Sequence, residues 1–206
     1  MLLVIGNKNY SSWSLRPWLA MKVLGIRFEE KRITLRRPET KAEILRYSPA
    51  GHVPVLHDGA TVVWDSLSIL EYLAERHPQL WPADAAERAK ARSISAEMHS
   101  GFANLRQHMS MNVRKRYAGK GRTPEAMAEV ERIQAIWSAA KGPFLFGEFT
   151  AADAMYAPVV LRFRTYGVAA RNQAYMEAML ALPAMREWIE AAEREPESIP
   201  ELDVHG

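Results

Sequence analysis

The strongest constraint in this sequence is a change of rhythm near residue 78. Before it, short apolar runs alternate with stretches of helical period; beyond it, only helical periods occur. Leu2-Leu3-Val4-Ile5-Gly6 reads as a buried strand. Leu15 to Leu24 follows, with Leu15, Trp18, Leu19, Val23 and Leu24 at helical spacing and Gly25 as a stop signal. Arg27 to Leu35 reads as a second strand whose charged residues suit a sheet edge. Strand, helix and strand in so short a space imply a parallel pair joined by a right-handed crossover. Pro38 to Tyr47 is a short polar helix, and Ser48 to Pro54 is a loop dense in breakers. Val55-Leu56-His57 and Thr61-Val62-Val63-Trp64 flank the turn Asp58-Gly59, a hairpin pattern. Asp65-Ser66 then opens a helix running to about His77, with Leu67, Leu70, Leu73 and Ala74 on one face. The expected order, βαβ and then αββα, is a small mixed sheet with helices on its faces, occupying residues 1–77.

Two prolines bracket Pro78-Gln79-Leu80-Trp81-Pro82, which reads as the core of a linker over residues 78–85. Residues 86–206 are then expected to form an all-helical domain. Ala86 to Tyr117 reads as one long helical stretch, and Thr123-Pro124 starts another that stops at Gly142-Pro143. Thr150, three residues before Asp153, opens a third with a pattern like a capping box. Shorter helices are expected at about 173–180 and 183–195, and the last ten residues as a loose tail.

Composition removes several classes of function. The chain has no cysteine, which excludes a disulfide scaffold, a Cys-based metal site and any mechanism using a thiol of its own. Its six histidines include no pair at the three- or four-residue spacing that aims two rings at one ion, so no metal is expected. With a formal charge of +3 and interleaved signs, there is no footprint for nucleic acid. No apolar run is long enough to span a membrane and no basic-then-apolar leader is apparent, so no membrane association and a cytoplasmic location are expected.

The chemistry concentrates between the first strand and first helix, in Asn9-Tyr10-Ser11-Ser12-Trp13-Ser14-Leu15-Arg16-Pro17-Trp18. Helix starts present unpaired N–H groups and a partial positive charge, so hydroxyls placed there can bind or activate an anion. Ser14 suits the N-cap with Pro17 in the first turn, which leaves Ser11 and Ser12 without a structural task. A serine-rich loop before a helix is ordinarily a cap and nothing more, so other features must decide.

Four such features resemble the cytosolic glutathione transferases. Tyr10-Ser11-Ser12-Trp13-Ser14 is similar to the Ser-Ser-Cys-Ser segment of the zeta class, with Trp13 in place of the cysteine; His52-Val53-Pro54 precedes a strand; Asp65-Ser66 opens the third helix; and Phe149-Thr150-Ala151-Ala152-Asp153-Ala154 lies in the helical half. The resemblance implies a thioredoxin-like N-terminal α/β domain followed by an all-α domain, a homodimer, and glutathione as co-substrate without a metal. It points to Ser11 as hydrogen-bond donor to the glutathione sulfur, with Ser12 the nearest rival, and leaves Ser14 as the cap. It implies a cis peptide before Pro54, with the Val53 backbone pairing with the cysteinyl part of glutathione, His52 near the glycyl end, and Asp65 and Ser66 holding the γ-glutamyl group. Thr150 and Asp153 serve folding.

The energetic demand on such a site is definite. A free thiol with a pKa of about 8.5 is only a few per cent ionised at neutral pH, and the thiolate is the nucleophile. Lowering that pKa by roughly two units requires about 2.7 kcal/mol of preferential stabilisation of the anion. A donated hydroxyl proton and a helix N-terminus each supply part. For the second substrate, Tyr10, Trp13, Met109, Met111, Arg114 and Tyr117 are the expected pocket wall, mostly apolar and adaptable. Detoxifying transfer of the thiol to small electrophiles is the leading activity, with glutathione-dependent cis–trans isomerisation of the maleylacetoacetate kind and a non-catalytic binding module as alternatives. Trp13 weighs against the isomerase, because it replaces the residue zeta-class isomerases carry beside the sulfur.

Overall fold

The computed structural model describes residues 1–203 and His205. Its sheet has the strand order β2-β1-β3-β4, with β1 at Leu2–Ile5, β2 at Glu29–Arg32, β3 at Val55–Asp58 and β4 at Thr61–Val63. β1 pairs parallel with β2, Leu2 opposite Glu29, and antiparallel with β3, Leu3 opposite Leu56. β3 and β4 form the expected hairpin, turned at Gly59 with φ +61°. Because β1 is covered on both faces, it reads as a continuous apolar run. Val4 joins Ile33, Ile44 and Val55 on one side, while Leu3 and Ile5 join the main core on the other.

That main core is shared by both halves of the chain. Helices α1 (Ser12–Val23) and α3 (Ser66–Ala74) cover one face of the sheet, and the short α2 (Thr40–Leu45) covers the other. A 3₁₀ turn at Pro78–Leu80 leads to α4 (Ala85–Ser100), α5 (Ala103–His108), α6 (Pro124–Ser138), α7 (Ala151–Tyr166), α8 (Gln173–Ala181) and α9 (Pro183–Glu193). α7 is the axle: every residue in it except Arg164 is buried, and it packs against α1 and α4. Its start carries the expected capping box, with the Asp153 carboxylate accepting from the Thr150 N–H at 2.8 Å and the Leu145 N–H at 3.0 Å. The sheet-and-helix half is therefore thioredoxin-like and the remainder all helical, as expected.

Three expectations are corrected. The long helix over 86–117 is broken, because α4 ends at Gly101, where an added Cβ would lie 2.8 Å from the Glu97 carbonyl oxygen. Phe102 follows in the left-handed region at φ 59°, only one short helix is then made, and residues 109–123 are irregular. The second correction is at α1, which is capped by Ser11 and not by Ser14: Ser11 Oγ accepts from the Ser14 N–H at 3.4 Å. Pro17 consequently sits inside the helix instead of in its first turn.

The last residues, thirdly, are not loose up to Asp203. Glu195 accepts from the backbone N–H groups of Lys8 and Asn9 at 2.6 and 3.0 Å, Arg32 pairs with Glu197 at 2.8 Å, and Asp203 accepts from Tyr10 and Asn112. Sequence rhythm could not find this strap because its partners lie at the other end of the chain. No described helix is long and apolar enough to cross a membrane.

Candidate functional site

The start of α1 forms the floor of a cleft between the two halves. Ser11 and Ser12 are 6 % and 7 % exposed, and both line a cavity of about 600 Å³ together with Tyr10, Trp13, His52 and Val53. A second cavity of about 340 Å³ adjoins it through the shared residues Trp13, His52 and Val53, and adds Pro54, Asp65 and Ser66. Residues separated by more than fifty positions in sequence thus line two cavities that share a wall. A larger cavity, about 800 Å³, lies apart from them against α3, the 3₁₀ turn and the start of α4.

The serines differ in what they have left to give. Ser11 donates its hydroxyl proton to Ser14 Oγ at 2.7 Å, and Ser14 Oγ also accepts from the Gly6 N–H at 3.1 Å. Ser14 is therefore a fully buried tie between β1 and α1. Ser12 makes no side-chain hydrogen bond to any described residue, so its proton is free for a molecule in the cleft.

At the far end, Asp65 does two things. One oxygen caps α3 by accepting from the Leu67 N–H at 3.0 Å, and the other lies 3.1 Å from His99 Nε2 on α4. The Ser66 hydroxyl accepts from Arg16 at 3.3 Å. Capping and ligand binding can coexist here, because Asp65 and Ser66 both line the smaller cavity and a helix start keeps N–H groups that the helix itself does not pair. The Val53–Pro54 peptide is cis, as the resemblance implies.

Of the six residues expected around the second substrate, Tyr10, Trp13 and Met111 line the larger part of the cleft. Met109, Arg114 and Tyr117 do not. Met109 is wholly buried in the core, and Tyr117 packs on Tyr166 and His205 with ring centroids 5.7 and 5.6 Å away. Arg114 donates to the backbone carbonyls of Glu195 and Glu197, holding the C-terminal strap. The break at Gly101 removes the continuous helical face on which these residues were placed, and of the expected wall residues beyond it only Met111 reaches the cavity.

Sequence reasoning missed the cations. Arg36, Arg37 and Lys41 line one mouth of the cleft beside His52 and Val53, while Arg106 and Arg162 line its helical wall. Arg16 lies just behind, its guanidinium 4.3 Å from the Trp13 ring centroid, with that of Arg106 at 4.8 Å. Burial pushes Arg16 well below the usual guanidinium range, with the Arg106 and Arg162 charges adding to it. Burial likewise pushes Arg162 down to about 9, and Arg106 downwards. The available signal was Arg162 itself, a lone charge in the apolar stretch Met155 to Phe163. Among the described residues no group of three or more His, Asp or Glu side chains could hold a metal ion.

Comparison with known proteins agrees with this geometry. Residues 10–76 match the family model for the glutathione S-transferase N-terminal domain, and residues 97–191 match that for the C-terminal domain. A probable maleylacetoacetate isomerase from Caenorhabditis elegans is 34 % identical over 158 residues, 72 % of each chain. A holo maleyl pyruvate isomerase, described as a bacterial zeta-class glutathione S-transferase, superposes with a TM-score of 0.73 at 26 % identity, covering 97 % of this chain and 100 % of the other. A Burkholderia glutathione transferase homologue with bound glutathione shares the fold, with a TM-score of 0.70 at 21 % identity over 93 % of this chain and 96 % of its own. A thioredoxin-like half, a helical half, and a cleft between them floored by the Ser11-Ser12 helix start place this chain in the glutathione S-transferase family.

Proposed function

We propose that the protein binds glutathione across the two adjoining cavities, holds its sulfur as thiolate at the start of α1, and directs it at an electrophilic carbon of a small second substrate. The supporting observation is that Ser11 and Ser12 line one cavity, Pro54, Asp65 and Ser66 line a second, and Trp13, His52 and Val53 line both. Asp65 suits the γ-glutamyl ammonium, and Ser66 with the first N–H groups of α3 suits its carboxylate. The Val53 backbone and His52 flank the middle and glycyl parts, and Arg36, Arg37 and Lys41 give the glycyl carboxylate a cationic mouth. The sulfur then lies over Ser11 and Ser12. Ser12 donates from a free hydroxyl, and Ser11 donates once its proton turns from Ser14 towards the sulfur. The sulfur's lone pair forms the new C–S bond, while the electron pair of the broken bond leaves with the departing group or moves into the acceptor's conjugated system.

The division of labour follows the chain: residues 1–77 hold glutathione, 78–85 connect, and 86–206 supply the second-substrate wall. A detoxifying role, a cytoplasmic location and a homodimer complete the reading; sedimentation at micromolar concentration giving only a monomer would count against the last.

The thiolate absorbance of bound glutathione, followed against pH, tests the mechanism. A lowered thiol pKa in the wild type that rises in Ser11→Ala or Ser12→Ala is the expected result. An unlowered pKa, or a shift indifferent to both substitutions, would refute it. Glutathione binding without acceleration towards any electrophile would favour a binding module. Isomerisation is the second reading, favoured by the isomerase names of the C. elegans relative and of the 26 % identical holo structure. A panel of cis-enone acids, assayed with and without glutathione, separates isomerisation from conjugation.

A further inference from the structure

Between β1 and α1 the chain makes a tight turn, in which the Tyr10 and Ser11 N–H groups both donate to the Asn7 carbonyl, at 3.1 and 2.8 Å. Such a turn leaves its middle N–H groups, those of Lys8 and Asn9, without an acceptor inside it. Both donate to one carboxylate, that of Glu195 just beyond α9, at 2.6 and 3.0 Å. The neighbouring sequence could not supply this acceptor, because Glu29 is the first acidic residue of the chain. The second half of the chain holds the rest of the turn as well. Trp188 Nε1–H donates to the Lys8 carbonyl at 3.0 Å, and the Val113 and Arg114 N–H groups donate to the Asn9 carbonyl and side-chain oxygen at 3.2 and 2.9 Å. Glu195 is only 8 % exposed, and burial pushes its carboxyl above the ordinary glutamate value against the two N–H donors and Arg32, which favour the charge.

Ser11 and Ser12 follow this turn directly, and the Ser12 N–H donates to the Tyr10 carbonyl at 3.0 Å, so the turn's orientation passes to both hydroxyls. A hydrogen bond weakens steeply as its angle closes, and the dipole of α1 acts within its first turn. A small rotation of the turn therefore weakens both sources of thiolate stabilisation at once. We propose that Glu195 is a positioning residue for the thiol: by bridging the Lys8 and Asn9 N–H groups it fixes the orientation in which Ser11 and Ser12 meet the sulfur of glutathione. The inference rests on the glutathione reading and deepens it, assigning part of the sulfur's activation to a side chain that lines neither cavity. The charged groups around Glu195 are Arg32 at 3.6 Å, Glu197 paired with Arg32 at 2.8 Å, Arg114 on the Glu195 carbonyl, and Lys8, whose ammonium pairs with Glu30 at 2.8 Å. Charge and positioning predict opposite signs. Removing a nearby carboxylate lowers a thiol pKa by relieving repulsion, whereas losing the turn's orientation raises it.

Two variants of the full chain separate these effects. Glu195→Gln keeps the shape but offers one acceptor and turns an amide N–H₂ on the other donor; Glu195→Asp keeps the charge but is one methylene short of bridging both N–H groups. With glutathione bound, thiolate absorbance followed against pH should give a thiol pKa higher by about half a unit or more in both variants. The calorimetric Kd for glutathione, measured well below that pKa where the sulfur binds protonated, should stay within about twofold of the wild type, because the ends of the tripeptide are held elsewhere. An unmoved or lowered pKa in either folded variant, with only the melting midpoint reduced, would overturn the inference and leave Glu195 a structural tie. Should neither variant fold, hydrogen exchange in the wild type decides: the Lys8 and Asn9 amides should exchange as slowly as those of β1, and fast exchange would show the turn to be unheld. A wild-type thiol whose pKa is not lowered would overturn the glutathione reading as well; a lowered wild-type pKa that neither variant moves would overturn this inference alone.

Discussion

Ser11 and Ser12 are neighbours with different tasks, and substitution should separate them. Ser11 caps α1, so Ser11→Ala should cost about 1 kcal/mol in denaturant melts, as loss of a cap does. Ser12→Ala should leave the melt nearly unchanged and alter only the thiol titration; a larger stability loss in Ser12→Ala than in Ser11→Ala would contradict the capping assignment. Asp153 gives the clearest pH dependence. Burial pushes its carboxyl up to about 6, against the ordinary 3.8, although three donors from Leu145 and Thr150 favour the charged form. The folded state therefore holds the proton more tightly than the unfolded chain. The contribution to stability grows as pH falls from above 6 towards 3.8, by about 1.4 kcal/mol per unit at most. Urea melts between pH 7 and 5 should show this rise against the background of other groups, and Asp153→Asn should abolish it. The same variant should be less stable by about 1–3 kcal/mol, because an amide N–H₂ would confront donors.

At the scale of elements, the break between α4 and α5 decides what the second half can present to the cleft. Gly101→Ala forces a Cβ against the Glu97 carbonyl oxygen, 2.8 Å away on the present backbone. The backbone must shift, at a cost of about 1–3 kcal/mol; an unchanged denaturation midpoint would show that the break tolerates a side chain. This element also shows where the sequence stopped being legible. Each strand and most helices carried local signals: β1 its apolar run, α6 its Thr123-Pro124 start, α7 its capping box. Residues 86–117 kept a helical rhythm throughout, and a lone glycine inside such a rhythm is a weak stop. With the break unseen, Met109, Arg114 and Tyr117 were expected on the cleft wall, whereas packing against α7 and the C-terminal strap took them elsewhere.

For the whole molecule, the C-terminal strap ties the two ends of the chain together across the cleft's edge. Removing residues 195–206 would leave the Lys8 and Asn9 N–H groups and the Arg114 guanidinium without their acceptors. The truncated protein should lose about 2–5 kcal/mol by urea denaturation, from buried donors left unsatisfied; a loss under about 1 kcal/mol would mean the strap is ornamental to stability. Leu202 also leaves the cleft wall, so KM for the second substrate should rise more than that for glutathione. By itself the sequence determined the βαβ and αββα order, the helical second half and the Asp65-Ser66 helix start, because periodicity, caps and turn residues act within a few positions of where they are read. Only the tertiary structure decided which serine caps α1, where the chain's end goes, and that Arg16, Arg106 and Arg162 share one void without a carboxylate. Whether a buried charge has a counter-charge depends on groups brought together across the whole chain, and no local pattern encodes that.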